Sequence, residues 1–236
     1  MAPAMKSLLF RICAISQLLF ALTASAADVT GYIVLTSDYV FRGVTYSDGN
    51  PAAQIGGDVS FNNGIFLGAW GSTIDISNGP QVQRDWEVNY YIGYNRDLSS
   101  HWAIGATFVA YRFPGTVGRF DYDYEEFAIN VNYDDRIWFE YAYSPDLYDS
   151  GYSTGNFLLF GELPLGNSFT GSAGAGYYDV SNFSGDDYTY WEIGVTRPFG
   201  VIDFDLRYHD TSNSVRIIST PDRADSRVVI SARFQF

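Results

Sequence analysis

From Ile202 to His209 the chain alternates without a break, Ile202, Phe204, Leu206 and Tyr208 against Asp203, Asp205, Arg207 and His209. Side chains two apart share one face of a strand, so this run has a hydrocarbon face and a charged face. The charged face has to meet water and the other has to be buried. The pattern recurs in Ile55, Gly57, Val59 and Phe61 against Gln54, Gly56, Asp58 and Ser60. It recurs again in Trp86, Val88, Tyr90, Ile92 and Tyr94 against Asp85, Glu87, Asn89, Tyr91 and Gly93. Reading for period two gives twelve candidate strands and no convincing helix; three of them, rich in Gly and Phe on both faces, alternate less cleanly.

The connections separate a barrel from a sandwich. Links after even-numbered strands are short: Asn62–Gly64, Asn95–Ser100, Asp134–Asp135, Pro164–Asn167 and Pro198–Gly200. Links after odd-numbered strands are mostly longer and richer in Asp, Ser and Gly: Gly43–Pro51, Phe113–Asp121, Pro145–Tyr152 and Thr211–Asp225. Short turns on one rim and long loops on the other are how outer-membrane barrels are built, and a sandwich has no reason to sort its loops this way.

Residues 1–27 read as a secretory signal peptide that is cleaved. Lys6 and Arg11 precede an apolar run from Ile12 to Leu22, and Ala24-Ser25-Ala26-Ala27 suits a signal peptidase. The run falls short of the roughly 20 apolar residues of a membrane-spanning helix. Arg11-Ile12 before Cys13 is not the small-residue context of a lipidated cysteine. The expected organisation is a leader followed by one domain, 28–236.

Cleavage removes Cys13, the only cysteine, and with it any disulfide or Cys-ligated metal. It also removes the only lysine, leaving 12 basic against 27 acidic residues, a net charge of −15. Such a chain does not seek nucleic acid, whose phosphates demand the opposite sign. Aromatics make up 18% of the residues, yet no stretch after Leu22 approaches a transmembrane helix. A membrane barrel reconciles the two, because each strand shows lipid only every second side chain while Tyr and Trp gather at the interfaces.

The chain finishes Val228, Ile230, Ala232, Phe234 and Phe236 against Val229, Ser231, Arg233 and Gln235. An alternating last strand ending in Phe resembles the signal by which the barrel-assembly machinery recognises its clients, so Phe236 is the expected contact with that partner. The fold class is therefore all-β, a single antiparallel transmembrane β-barrel of twelve strands in the outer membrane of a Gram-negative bacterium.

LTSDYVFRGVTYSDG (35–49) and IGGDVSFNNGIFLGAWGSTID (55–75) resemble the N-terminal signature of the TorF family of proteobacterial porin proteins. The resemblance continues through DWEVNYYIGY (85–94), YRFPGT (111–116), YEEFAI (124–129), YWEIGV (190–195) and YHDTSNS (208–214), nearly the whole mature chain. It implies a porin-like barrel and carries no assigned substrate.

The strand register predicts ten lumenal acidic residues: Asp38, Asp58, Asp85, Glu87, Glu126, Glu140, Glu162, Glu192, Asp203 and Asp205. It predicts five basic ones: Arg42, Arg136, Arg207, Arg227 and Arg233. Confined charge of one sign sets ion preference, so passage of small hydrophilic solutes with a mild cation preference is expected. An open passage is the leading expectation; the alternative is a lumen plugged by paired charges. Tyr32, Tyr91, Tyr111 and Tyr190 are expected to point inward. Asp38 and Arg42 are expected on one face of the first strand, paired to its neighbours, with Gly43 ending that strand. Trp86, Trp102, Trp191, Tyr39, Tyr94 and Tyr208 read as interface belts, and Arg84, Arg119 and Arg223 as rim residues able to touch lipid phosphates. The Asp-rich loops, Asp186-Asp187 and Asp121 among them, lack the spacing of a calcium motif and read as solvated.

No catalytic, cofactor or metal site is expected. Hydrolysis needs a serine, a base and an orienting group, and only His101 and His209 are present. The readings that remain beside a channel are a closed structural or adhesion barrel acting through its acidic loops and, more distantly, an outer-membrane hydrolase.

Overall fold

The computed structural model describes residues 27–77, 83–116, 122–212 and 221–236. Twelve long strands close into one antiparallel barrel. They are β1 (Ala27–Thr36), β4 (Ala52–Phe61), β5 (Ile65–Ser77), β6 (Gln83–Asp97), β7 (Trp102–Arg112), β8 (Tyr124–Tyr133), β9 (Ile137–Ser144), β10 (Thr154–Gly166), β11 (Phe169–Asp179), β12 (Tyr188–Phe199), β13 (Ile202–Thr211) and β14 (Arg227–Gln235). Two further strands, β2 (Val40–Phe41) and β3 (Val44–Thr45), pair only with each other. Each barrel strand pairs with the next, and β14 returns to β1 with Val34 opposite Arg233. The seam ends in two hydrogen bonds of 2.8 Å between the backbones of Gly31 and Phe236. The segment expected to be a leader, 1–27, falls outside the described residues except for Ala27, which begins β1.

Alternation decides the two faces. Leu35, Ile55, Phe127, Leu159, Ile193 and Ile230 are each more than half exposed on the outside. An apolar band of this kind suits hydrocarbon, not water. Trp102 against Tyr133 at 4.7 Å marks the short-turn rim, while Trp191 against Tyr208 at 5.2 Å stands toward the long-loop rim. Inside, alternate residues are polar or aromatic, and glycine appears where a ring crosses the wall: a Cβ on Gly176 would overlap Tyr190.

Three expectations about orientation need correction. Asp85 is exposed, because the β5–β6 register shifts between Thr73 and Ile76 and it is Arg84, 5% exposed, that turns inward. Arg136 sits exposed in the β8–β9 turn, where Asp134 and Asp135 adopt positive φ, and so does not line the lumen. The third concerns the segment after β1. The strand stops at Thr36, and the next residues fold inward as the β2–β3 hairpin instead of extending the wall.

Candidate functional site

The hairpin is built by a two-residue turn. Arg42 and Gly43 have φ of 50° and 80°, the pair of positive angles that a type I′ turn requires. Gly43 therefore turns the hairpin instead of ending a wall strand. This places Arg42 inside the barrel, where its fork donates to both oxygens of Glu126 at 2.7 and 2.8 Å. The Arg42 guanidinium also lies over the Tyr178 ring at 4.8 Å, and Tyr188 donates to its carbonyl at 3.0 Å.

Asp38 holds the base of the same segment. Its carboxylate accepts from Ser47 and Arg227, both at 2.8 Å, and from Thr45 at 2.5 Å. Tyr39, expected in a lipid belt, is 4% exposed inside the barrel and donates to Glu87 at 3.1 Å. Asn89 donates to the other oxygen of Glu87 at 2.7 Å. Around these contacts the upper lumen is packed with rings: Tyr46 meets Tyr148 at 3.2 Å between hydroxyls, and Tyr111 stacks on Tyr124 at 4.4 Å. Arg84 lies over Tyr122 at 3.6 Å, and Arg223 donates to the Asp75 carbonyl at 2.9 Å, so both are structural and not lipid-facing. Arg119 and Asp121 lie outside the described residues. The long-loop half of the barrel is thus filled, against the expectation of an open passage.

The short-turn half is different. It holds a cavity of about 280 Å³ whose lining includes Glu140, Glu162, Glu192, Asp203, Asp205 and Arg207. Arg207 organises one wall, donating to Glu192 at 2.9 Å, to Asp205 at 3.0 Å and to Ser172 at 2.9 Å. His209 approaches the second oxygen of Glu192 at 3.3 Å, while Arg233 lies over the Tyr32 ring at 3.7 Å. Asp58 stands nearby on β4 and accepts from the Tyr91 hydroxyl. A second cavity sharing Glu162, Thr196 and Asp203 extends among Pro164, Ser168 and Pro198 at the short turns. Five carboxylates against two guanidiniums leave this vestibule negative.

The predicted lumenal residues thus divide into two groups. Asp38, Arg42, Glu87, Glu126 and Arg227 hold the inward hairpin. Glu140, Glu162, Glu192, Asp203, Asp205, Arg207 and Arg233 line the vestibule. Asp58, which is held by Tyr91, belongs to neither, and nor do Asp85 and Arg136. Alternation finds the wall positions, but Trp138, Phe160 and Asn130, which also line the cavity, escape a search for charge. The inward turn has a legible signal in Val40-Phe41-Arg42-Gly43-Val44-Thr45, two short β-prone pairs around an X-Gly dipeptide. Among the described residues, the serine that lines the same cavity as His209 is Ser231, which donates to Thr36 at 2.9 Å.

With this geometry in place, likeness to known proteins adds a family and a fold. Residues 21–233 match the family described as bacterial protein of unknown function (Gcw_chp). The chain belongs to the Gcw_chp family. A search of the curated proteins finds no match. Among solved structures, this Gcw_chp protein resembles the NanC porin at TM-score 0.54 with 12% identity, covering 89% of this chain and 99% of that one. It resembles the KdgM porin at TM-score 0.53 with 8% identity, covering 88% and 99%. At these identities the likeness shows the fold alone, a closed antiparallel barrel like those of the two porins, twelve-stranded in this chain; the TorF name suggested by the sequence motifs is not shown by these comparisons.

Proposed function

We propose that this protein is an outer-membrane channel for small hydrophilic, preferentially cationic solutes, shut in its resting state by the inward β2–β3 hairpin. On this reading residues 1–27 export the chain through the inner membrane, and the barrel, 28–236, is inserted through its Phe236-terminated strand by the barrel-assembly machinery. The observation that carries the reading is the acidic vestibule of about 280 Å³ inside a closed barrel with an apolar exterior. A structural barrel needs neither a hollow half nor carboxylates lining it. The TorF resemblance and the porin neighbours point the same way.

The packed upper lumen favours a second reading, a permanently closed barrel acting through its acidic loops. Conductance separates the two. Refolded residues 28–236 in a planar bilayer under a salt gradient are expected to give discrete steps with a cation-favouring reversal potential. Stable insertion without steps, at any voltage and also after removal of the hairpin, makes the closed barrel the correct reading.

A further inference from the structure

Of the vestibule carboxylates Glu140 is the buried one, while Glu162, Glu192, Asp203 and Asp205 are partly exposed. It is 8% exposed, lines the cavity, and makes no hydrogen bond or ion pair among the described residues. Glu192 and Asp205 have Arg207, whereas the fork of Arg42, whose charge reaches Glu140, is taken up by Glu126. A buried carboxylate without a partner costs free energy, and folds retain one chiefly where something else supplies the opposite charge.

The strand register shows what surrounds it. Asn130 lies directly opposite Glu140 on β8, is 2% exposed, and has a side-chain oxygen without a hydrogen-bond donor. On the other side Leu158 is opposite Glu140, and Trp138 is opposite Phe160 with ring centroids 5.7 Å apart. All five side chains line the same cavity. Two acceptors lacking donors therefore sit beside an apolar, aromatic wall. Among the described residues no group of three or more His, Cys, Asp or Glu is placed to hold a metal ion.

The geometry points to a binding site for a small organic ammonium ion, its charged head on Glu140 and Asn130 and its apolar body against Trp138, Phe160 and Leu158. An ammonium has three donors and no acceptor, which matches what Glu140 and Asn130 lack. Aromatic faces add attraction for the cation beyond the area they bury. The site deepens the channel reading by giving its solute a chemistry, and rests on it for transit though not for binding.

The test is calorimetric titration of the refolded full barrel in micelles with phenethylammonium, against empty micelles. Phenethyl alcohol serves as the neutral isostere and Asp135→Asn, in an exposed turn, as the charge control. The expected result is saturable binding, weakened at least about tenfold for the alcohol and for Glu140→Gln and unchanged for Asp135→Asn. The alcohol comparison uses the unaltered protein, so it decides the matter even if Glu140→Gln does not refold. Absence of saturable binding, or equal affinity for amine and alcohol, overturns the site. Binding without conductance removes the channel and keeps the site; conductance without binding does the reverse.

Discussion

Arg42 and Glu126, 84 residues apart in the chain, face each other inside the barrel through two hydrogen bonds of 2.7 and 2.8 Å. The Arg42 and Glu126 side chains are 7% and 3% exposed, so both charges have left water. Desolvation offsets most of the attraction in such a pair, which therefore contributes position more than stability. What it positions is the β2–β3 hairpin, and through it the closure of the upper lumen.

Removing one partner strands the other. Arg42→Ala is expected to lower stability by about 3 kcal/mol in urea unfolding, because Glu126 is left charged and buried. Replacing both, Arg42→Met with Glu126→Leu, is expected to recover most of that loss. If the single and double variants unfold alike, the pair does not hold the segment.

Excising the hairpin tests closure itself. A chain in which Tyr39–Tyr46 is replaced by two glycines loses the Tyr39–Glu87 and Tyr46–Tyr148 contacts along with Arg42. Single-channel recording is expected to show larger and longer-lived openings than the unaltered barrel. Unchanged traces would place the constriction elsewhere.

The wall and the hairpin differ in how far they can be read from sequence. Alternation is a property of each strand alone, so Ile202–Thr211 announces its two faces without knowledge of its neighbours. The segment 37–47 alternates too, and what turns it inward is Glu126 on a distant strand together with the Arg42-Gly43 turn. Simple alternation puts Asp85 on the wrong face, because a bulge changes the parity of a strand and leaves no mark in its composition. The Glu140 site is half legible in sequence: its charge is visible there, but its missing partner is a fact of packing.

Asp187 gives a pH prediction outside the membrane-spanning strands. Partial desolvation works to raise its pKa. The Tyr177 hydroxyl at 2.7 Å and the Val180 and Ser181 amides at 2.8 Å outweigh that and bring it below the ordinary 3.8. A lowered folded pKa means the loop contact is fully present above the unfolded value and is lost as pH falls through the folded one. Hydrogen-exchange protection at the Val180 and Ser181 amides is therefore expected to persist down to pH 4 and fall below it. In Asp187→Asn it is expected to be weaker at neutral pH and insensitive to this range.

The Gly31–Phe236 backbone bonds close the barrel at the end of its last pairing. Removing Phe236 deletes them and the terminal ring against Phe234 at 5.7 Å. The yield of assembled, heat-modifiable barrel in cells is expected to fall severalfold. Refolding of purified chain in detergent, which needs no assembly machinery, is expected to fall less. Equal losses in both settings would assign Phe236 to the seam alone.

The proposed cation preference can be tested at vestibule carboxylates that do not hold Arg207. Asp205 and Glu192 are unsuitable, since each holds Arg207. Glu162 and Asp203 line both the vestibule and the second cavity at the short turns, at the mouth an entering ion would meet first. Their charges act on that ion from within a screening length, so neutralising both reduces the local attraction while leaving the Arg207 cluster intact. Glu162→Gln with Asp203→Asn in the hairpin-excised barrel is expected to lower the cation-to-anion permeability ratio about twofold, read from the reversal potential. Step size should change little. A reversal potential that does not move would assign the preference to Glu140 and the Arg207 cluster deeper in the vestibule.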